Sequence, residues 1–235
     1  MKIIAHRGAS GSAPENTIAA MKLALKLGCD GIETDLQLTK DGRVVVFHDW
    51  SVERTTDGEG EIKDLTFEEL SKLDNGSWFS DEFKGERIAT LEELLDLVPE
   101  NLVLNLELKS QAFDSRGLEE KVMEILNKKN RKKNIVISSF SHRSLERVRR
   151  LDKTIKLGIL FEAYLIGLPE YIKNLDLDLW SVHPGVSHVD GELIDTIHKL
   201  DLLGYVWTVN DKKTAERLKE YGVDGIITNY PDLFK

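Results

Sequence analysis

The chain reads as an α/β protein of the TIM (β/α)8 barrel class, with an extra hairpin strand and a small insertion after the second strand. Two observations carry that reading. Eight short β-rich runs recur along the 235 residues, and nearly every one is followed by a helix-like segment. Polar residues gather at the C-terminal ends of several runs, where a barrel of this kind builds its site. A doubly wound open sheet also alternates strand and helix, but it usually stops at five or six strands and would leave the last two units unexplained.

In order, the runs are KIIAHR (2–7), GIETDLQ (31–37), LVLNLEL (102–108), NIVISSF (134–140), IKLGILF (155–161), DLWSVHP (178–184), GYVWTVN (204–210) and DGIITN (224–229). The helix-like segments are 15–27, 90–98, 116–129, 142–151, 168–174, 191–200, 211–221 and a short one after Pro231. Ile18, Met21 and Leu25 in the first, and Leu91, Leu94, Leu95 and Val98 in the second, repeat at helical spacing. Arg43–His48 follows the second run too closely for a helix to intervene. A two-residue turn at Asp41-Gly42 makes it an antiparallel return strand and sets His48 opposite Asp35. Residues 51–87, rich in Gly, Asp, Glu and Ser with one helix expected at 66–73, read as an insertion over the barrel mouth within a single domain of residues 1–235.

Composition narrows the function. Hydrophobic residues at 41% supply a large core, so disorder is not the default. The net charge of -9 argues against wholesale nucleic-acid binding and leaves any anionic substrate dependent on local basic groups. The basic run KKNRKK (128–133) is accordingly a solvated turn. Cys29 is the one cysteine and reads as a small buried hydrophobe, so nothing calls for an oxidising compartment. The N-terminus has too short an apolar stretch for a signal peptide or a membrane span, which gives a cytoplasmic location and no stable membrane insertion as expectations.

The strand-end residues carry the chemistry. Glu33 and Asp35 share one face of their strand, as do Glu107 and Lys109 of theirs, so three carboxylates can converge at the mouth. Like charges so close require a raised pKa or a cation, and all-oxygen ligation favours Mg²⁺ or Ca²⁺. Each acid alone could instead pair with Arg7 or Lys109. His6 and His48 are the natural proton carriers. Arg7 and Lys109 could bind a phosphate or simply balance the acids.

These residues fall in motifs that resemble the glycerophosphodiester phosphodiesterases, cousins of the phosphatidylinositol-specific phospholipases C. The motifs are HRG (6–8), ENT (15–17), ExD (33–35), HD (48–49), RTT (54–56), GxG (58–60), ExK (107–109), SF (139–140), WTVN (207–210) and the closing DGIITN. They span almost the whole chain in family order. The resemblance implies hydrolysis of glycerophosphodiesters such as glycerophosphocholine to glycerol 3-phosphate and an alcohol. It implies that His6 and His48 form the acid-base pair, that Glu33, Asp35 and Glu107 hold one divalent cation, and that Arg7 and Lys109 bind phosphate. Asn16 would help fix the site and Trp207 would line the substrate pocket. Alternatives on the same scaffold are lysophospholipase D or phospholipase C activity on acylated lipids, and a non-catalytic phosphate-ligand binder. Trp78-Phe79 reads as a small local cluster, although it could serve as a lid or as the contact of a homodimer.

Overall fold

The computed structural model describes residues 1–110 and 116–234; residues 111–115 and 235 of the expected 1–235 domain lie outside the described residues. Eight parallel strands close a barrel: β1 (Lys2–His6), β2 (Gly31–Leu38), β4 (Val103–Leu108), β5 (Ile135–Ser139), β6 (Lys156–Phe161), β7 (Ser181–Pro184), β8 (Leu203–Val206) and β9 (Gly225–Thr228). Each pairs with the next, and β1 seals the ring between β9 and β2. A ninth strand, β3 (Val44–Val46), lies outside the ring, antiparallel to β2.

Helices follow the strands as the periodicity requires: α1 (Ile18–Lys26), α3 (Leu91–Leu97), α4 (Leu118–Lys128), α5 (His142–Leu151), α6 (Leu168–Leu175), α7 (Gly191–Lys199) and α8 (Lys212–Glu220). Their starts are set by side chains that satisfy otherwise orphaned N–H groups. Thr17 accepts from the Ala20 amide, Thr90 and Glu93 form a reciprocal capping box, and Asp190 and Asp211 accept from the amides of Leu193 and Thr214. The helix expected at 15–27 therefore begins only at Ile18, which leaves Glu15 and Asn16 in the loop above β1.

Burial follows the alternation of the strands. Ile32, Leu36, Leu104, Leu106, Ile137, Ile159 and Val182 are buried against Met21, Leu94, Val122, Leu145 and Ile194 of the helical layer. Each such side chain contributes on the order of 1.5–3 kcal/mol. The inward positions differ: Ile4, Tyr205 and Ile227 form a small plug, and the inner positions above it are polar.

The hairpin differs from its expected register. Leu36, Gln37 and Leu38 face Val46, Val45 and Val44, so Phe47 rather than His48 stands opposite Asp35, and the Phe47 amide donates to the Asp35 carbonyl. The connection has three residues, Lys40 to Gly42, closed by Thr39 and Arg43. Gly42 takes φ +78° while Asp41 does not adopt positive φ, which fits a turn ending in a left-handed glycine and not the two-residue turn that needs both.

Residues 51–87 contain one short α-helix, α2 (Phe67–Leu70), instead of the full segment 66–73, flanked by single 3-10 turns at Ile62–Asp64 and Asp81–Phe83. Val52, Ile62 and Leu70 pack with Val45, Phe47 and Ile88 in a second apolar cluster. That cluster covers the face of the hairpin that carries Gln37 and Asp35, while Val44 and Val46 turn to the main core. Trp78 packs edge-on to Phe79, and Phe79 to Phe83, so the aromatic pair is part of a local cluster. Among the described residues no helix is long and apolar enough to cross a membrane.

Candidate active site

The upper ends of β2 and β4 run in register, with Asp35 beside Glu107 and Glu33 beside Asn105. The period of two then aims Glu33, Asp35 and Glu107 at one point, and an oxygen from each lies within 4.8 Å of the others. All three are buried. Burial raises the pKa of Glu33 well above its ordinary value, helped by the charges of Asp35 and Glu107. Glu107 is pushed up to about 7, by burial first and Asp35 second. Asp35 goes the other way: burial would raise it, but Arg7 and Lys109 outweigh burial and hold it low. Arg7 and Lys109 thus leave part of the negative charge uncompensated. A compact all-oxygen cluster with surplus charge fits a hard divalent cation.

Arg7 follows the end of β1 in a left-handed conformation, φ 55°, which turns its side chain back over the mouth. Its amide donates to the Glu33 carbonyl at 2.9 Å, Nη1 donates to Glu15 at 2.8 Å, and Nε lies 3.3 Å from Asp35. Lys109 donates to Glu107 at 3.1 Å and lies 3.8 Å from Asp35. Asn16, also left-handed at φ 59°, donates to Asp35 Oδ2 at 2.9 Å and accepts from the Thr34 hydroxyl at 2.7 Å. It stands behind Asp35 and does not line the cavity.

His6 and His48 both line that cavity, with Arg7, Glu33, Glu107, Phe140 and Trp207. His6 Nδ1 is 2.6 Å from Asn229 Oδ1, which can only accept, so Nδ1 carries the proton and Nε2 faces the acids, 3.8 Å from Glu33. Burial and the neighbouring Arg7 lower its pKa to about 4. His48 Nδ1 donates to the Asp49 carboxylate at 2.6 Å. Burial lowers its pKa as well, against the pull of Asp35. Trp207 donates Nε1 to the His183 carbonyl at 2.8 Å and meets Phe140 edge-to-face at 5.4 Å, forming an apolar wall opposite the charges.

All nine candidate residues therefore gather at one mouth, with Asn16, Asp35 and Lys109 set behind the cavity wall. Gln37 was not among the candidates. Its Nε2 donates to the carbonyls of Phe47, His48 and Asp49 at 3.1, 3.2 and 2.6 Å, fixing the chain after β3. The signal was available, because Gln37 shares the period-two face of Glu33 and Asp35. Asn229 and Asp49 were also missed as partners of the two histidines.

The chain has clear relatives among known proteins. Residues 6–233 match the family model described as the glycerophosphoryl diester phosphodiesterase family. The chain is 43% identical to a glycerophosphodiester phosphodiesterase of Caldanaerobacter subterraneus, covering 98% of this chain and 94% of that one. It is 38% identical to one from Bacillus altitudinis, covering 98% and 95%. A phosphodiesterase of Oleispira antarctica, solved with the product sn-glycerol 3-phosphate, superposes with a TM-score of 0.90 at 34% identity, covering 99% of this chain and 94% of that one.

Proposed function

The chain belongs to the glycerophosphoryl diester phosphodiesterase family and is a phosphoric diester hydrolase of that class; from that premise we propose that it hydrolyses glycerophosphodiesters such as glycerophosphocholine or glycerophosphoethanolamine to glycerol 3-phosphate and the free alcohol. One observation carries the reading: three buried carboxylates with surplus charge converge within 4.8 Å of one another, beside a cavity lined by two of them, Glu33 and Glu107, and by both histidines. The product named for the Oleispira antarctica structure supports the glycerol 3-phosphate half.

In this proposal Glu33, Asp35 and Glu107 hold one divalent cation, Mg²⁺ or Ca²⁺. A cation held there would supply Lewis-acid charge for the phosphoryl transfer. Arg7, on the cavity wall, offers its remaining donors to the phosphate, and Lys109, held behind the wall on Glu107 and Asp35, would swing forward to reach it. Asn16 fixes the Asp35 carboxylate, and Trp207 with Phe140 bounds the alcohol side. His6 keeps its Nδ1 proton on a neutral amide, which leaves Nε2 free to take the proton of the glycerol 2-hydroxyl as that oxygen attacks phosphorus. His48 donates Nδ1 to the Asp49 carboxylate, which offsets part of the lowering that burial imposes on its pKa, and from the protonated ring Nε2 gives its proton to the departing alkoxide. The cyclic phosphate so formed is opened by water with the two histidines in reversed roles. Residues 51–87 act as an insertion within one domain, and the cytoplasm remains the proposed location.

The test is a panel of glycerophosphodiesters assayed for glycerol 3-phosphate release, with EDTA, Mg²⁺ or Ca²⁺. Activity that EDTA leaves untouched would refute the metal part of the proposal. A second reading, hydrolysis of acylated lysolipids, is favoured by exposed apolar side chains after β3, β5 and β6: Trp50, Phe140, Tyr164 and Ile166. Turnover confined to micellar substrates would select it.

A further inference from the structure

Arg54 belongs to the insertion, yet its guanidinium reaches two carboxylates of the catalytic face. Nε and Nη2 donate to Asp49 at 2.5 and 3.1 Å, and Nη1 and Nη2 donate to Glu15 at 2.9 and 2.7 Å. Each carboxylate in turn holds a residue of the cavity wall. Asp49 accepts the Nδ1 proton of His48, and Glu15 accepts from Nη1 of Arg7. His48, Asp49, Arg54, Glu15 and Arg7 thus form one unbroken chain of charge-assisted contacts. A planar guanidinium suits this place because it forks onto two carboxylates at once, which an ammonium cannot do.

The backbone that presents Arg54 is held on both sides. Val52 and Thr55 are fully buried neighbours, the Val52 amide donates to the Gly60 carbonyl, and the Thr56 amide and hydroxyl both bond the Val52 carbonyl. Arg54 therefore projects from an anchored turn.

We propose that Arg54 is a positioning residue that orients both the acid histidine and the phosphate-binding arginine, acting through Asp49 on His48 and through Glu15 on Arg7. The inference rests on the roles assigned to His48 and Arg7 above. The Asp49 arm fixes the His48 tautomer and ring plane, so its loss falls on kcat. The Glu15 arm fixes the Arg7 guanidinium, so its loss falls on KM.

The experiment measures kcat and KM for glycerophosphocholine with added Mg²⁺ or Ca²⁺. Asp49→Asn is expected to lower kcat about 10- to 100-fold with KM little changed, by analogy with lost outer partners of functional histidines. Glu15→Gln is expected to raise KM severalfold. Arg54→Met should do both, and Arg54→Lys, which keeps the charge without the forks, should not restore either. In the Asp49→Asn, Glu15→Gln background, Arg54→Met should add nearly nothing, because the partners it acts through are gone. Millimolar guanidinium should recover part of the kcat of Arg54→Ala. Wild-type kinetics in Arg54→Met, full recovery by Arg54→Lys, or full additivity in the triple variant would each overturn the proposal, as would a lowered Tm with unchanged kcat and KM. His48→Ala separates the two levels of argument. If it retains turnover, the assigned site is wrong; if it is inactive while Arg54→Met is normal, only the positioning role falls.

Discussion

Glu107→Gln tests the electrostatics of the site through stability instead of turnover. The Glu107 carboxyl rises from its ordinary 4.5 to about 7 in the folded chain, with burial as the main cause and Asp35 second. The folded state therefore binds more protons than the unfolded state between those values, and stability must fall as pH rises through that window and level off above it. Each tenfold change in proton affinity is worth about 1.4 kcal/mol, so ionising Glu107 costs the metal-free fold about 3 kcal/mol. Glu33 is shifted in the same direction and adds to the loss. In Glu107→Gln the cost disappears, while Lys109 keeps Asp35 as a counter-ion 3.8 Å away. For a chain of this length about 3 kcal/mol corresponds to roughly 6–12 °C in Tm. Thermal unfolding in EDTA from pH 5 to 8 should show the wild-type Tm falling with pH and the variant's falling less, so that the variant is the more stable protein at pH 8. Added Mg²⁺ or Ca²⁺ should then raise the wild-type Tm far more than the variant's. Parallel Tm curves in EDTA, with no gain for the variant at pH 8, would refute the claim that uncompensated charge sits in the cluster.

Other changes probe single parts of the site. His6→Ala and His48→Ala should each lower kcat roughly 10²- to 10⁴-fold with an unchanged circular dichroism spectrum, read in a coupled glycerol 3-phosphate assay. Gln37→Leu frees the carbonyls of Phe47, His48 and Asp49, so kcat should fall at least about tenfold while Glu33 and Asp35 stay in place. Gly8→Ala places a methyl carbon 2.7 Å from the Ala20 carbonyl carbon at φ +80°, and a loss on the order of 1–3 kcal/mol should appear in denaturant unfolding. Trp207→Ala removes the edge-to-face partner of Phe140, so KM should rise more than kcat falls in steady-state assays across the alcohol panel.

The barrel was legible because each β/α unit repeats a local signal, and the carboxylate cluster because alternation on β2 and β4 fixes which side chains share a face. Elements whose ends depend on tertiary partners were not. The start of α1 is set by the Thr17 cap, and the segments holding Glu15 and Arg54 have no periodicity to read. Their roles come from ion pairs between residues 39 apart in sequence, which no local pattern encodes. The partners of the histidines were hidden for the same reason, since Asn229 reaches His6 across the closure of the barrel.

The hairpin shows how a residue can be placed correctly for a reason the register did not supply. Parity is unforgiving in a strand, because a slip of one residue sends a side chain to the opposite face. In the observed register a strand continued past Val46 would aim His48 away from Asp35, on the side where Val44 and Val46 meet the core. The strand stops instead, and three hydrogen bonds from Gln37 hold the carbonyls of residues 47–49 out of any ladder. Released from alternation, His48 turns toward the cavity and Asp49 accepts a hydrogen bond from its Nδ1. The same hairpin explains how a histidine absent from the ring reaches the mouth. β1 pairs with β2 only as far as Glu33, so the rest of β2 rises beyond its neighbour, and β3 brings the chain back down to the level of Asp35. An extended second strand and its antiparallel return thus bring His48 to the mouth from outside the ring, facing a histidine delivered by β1.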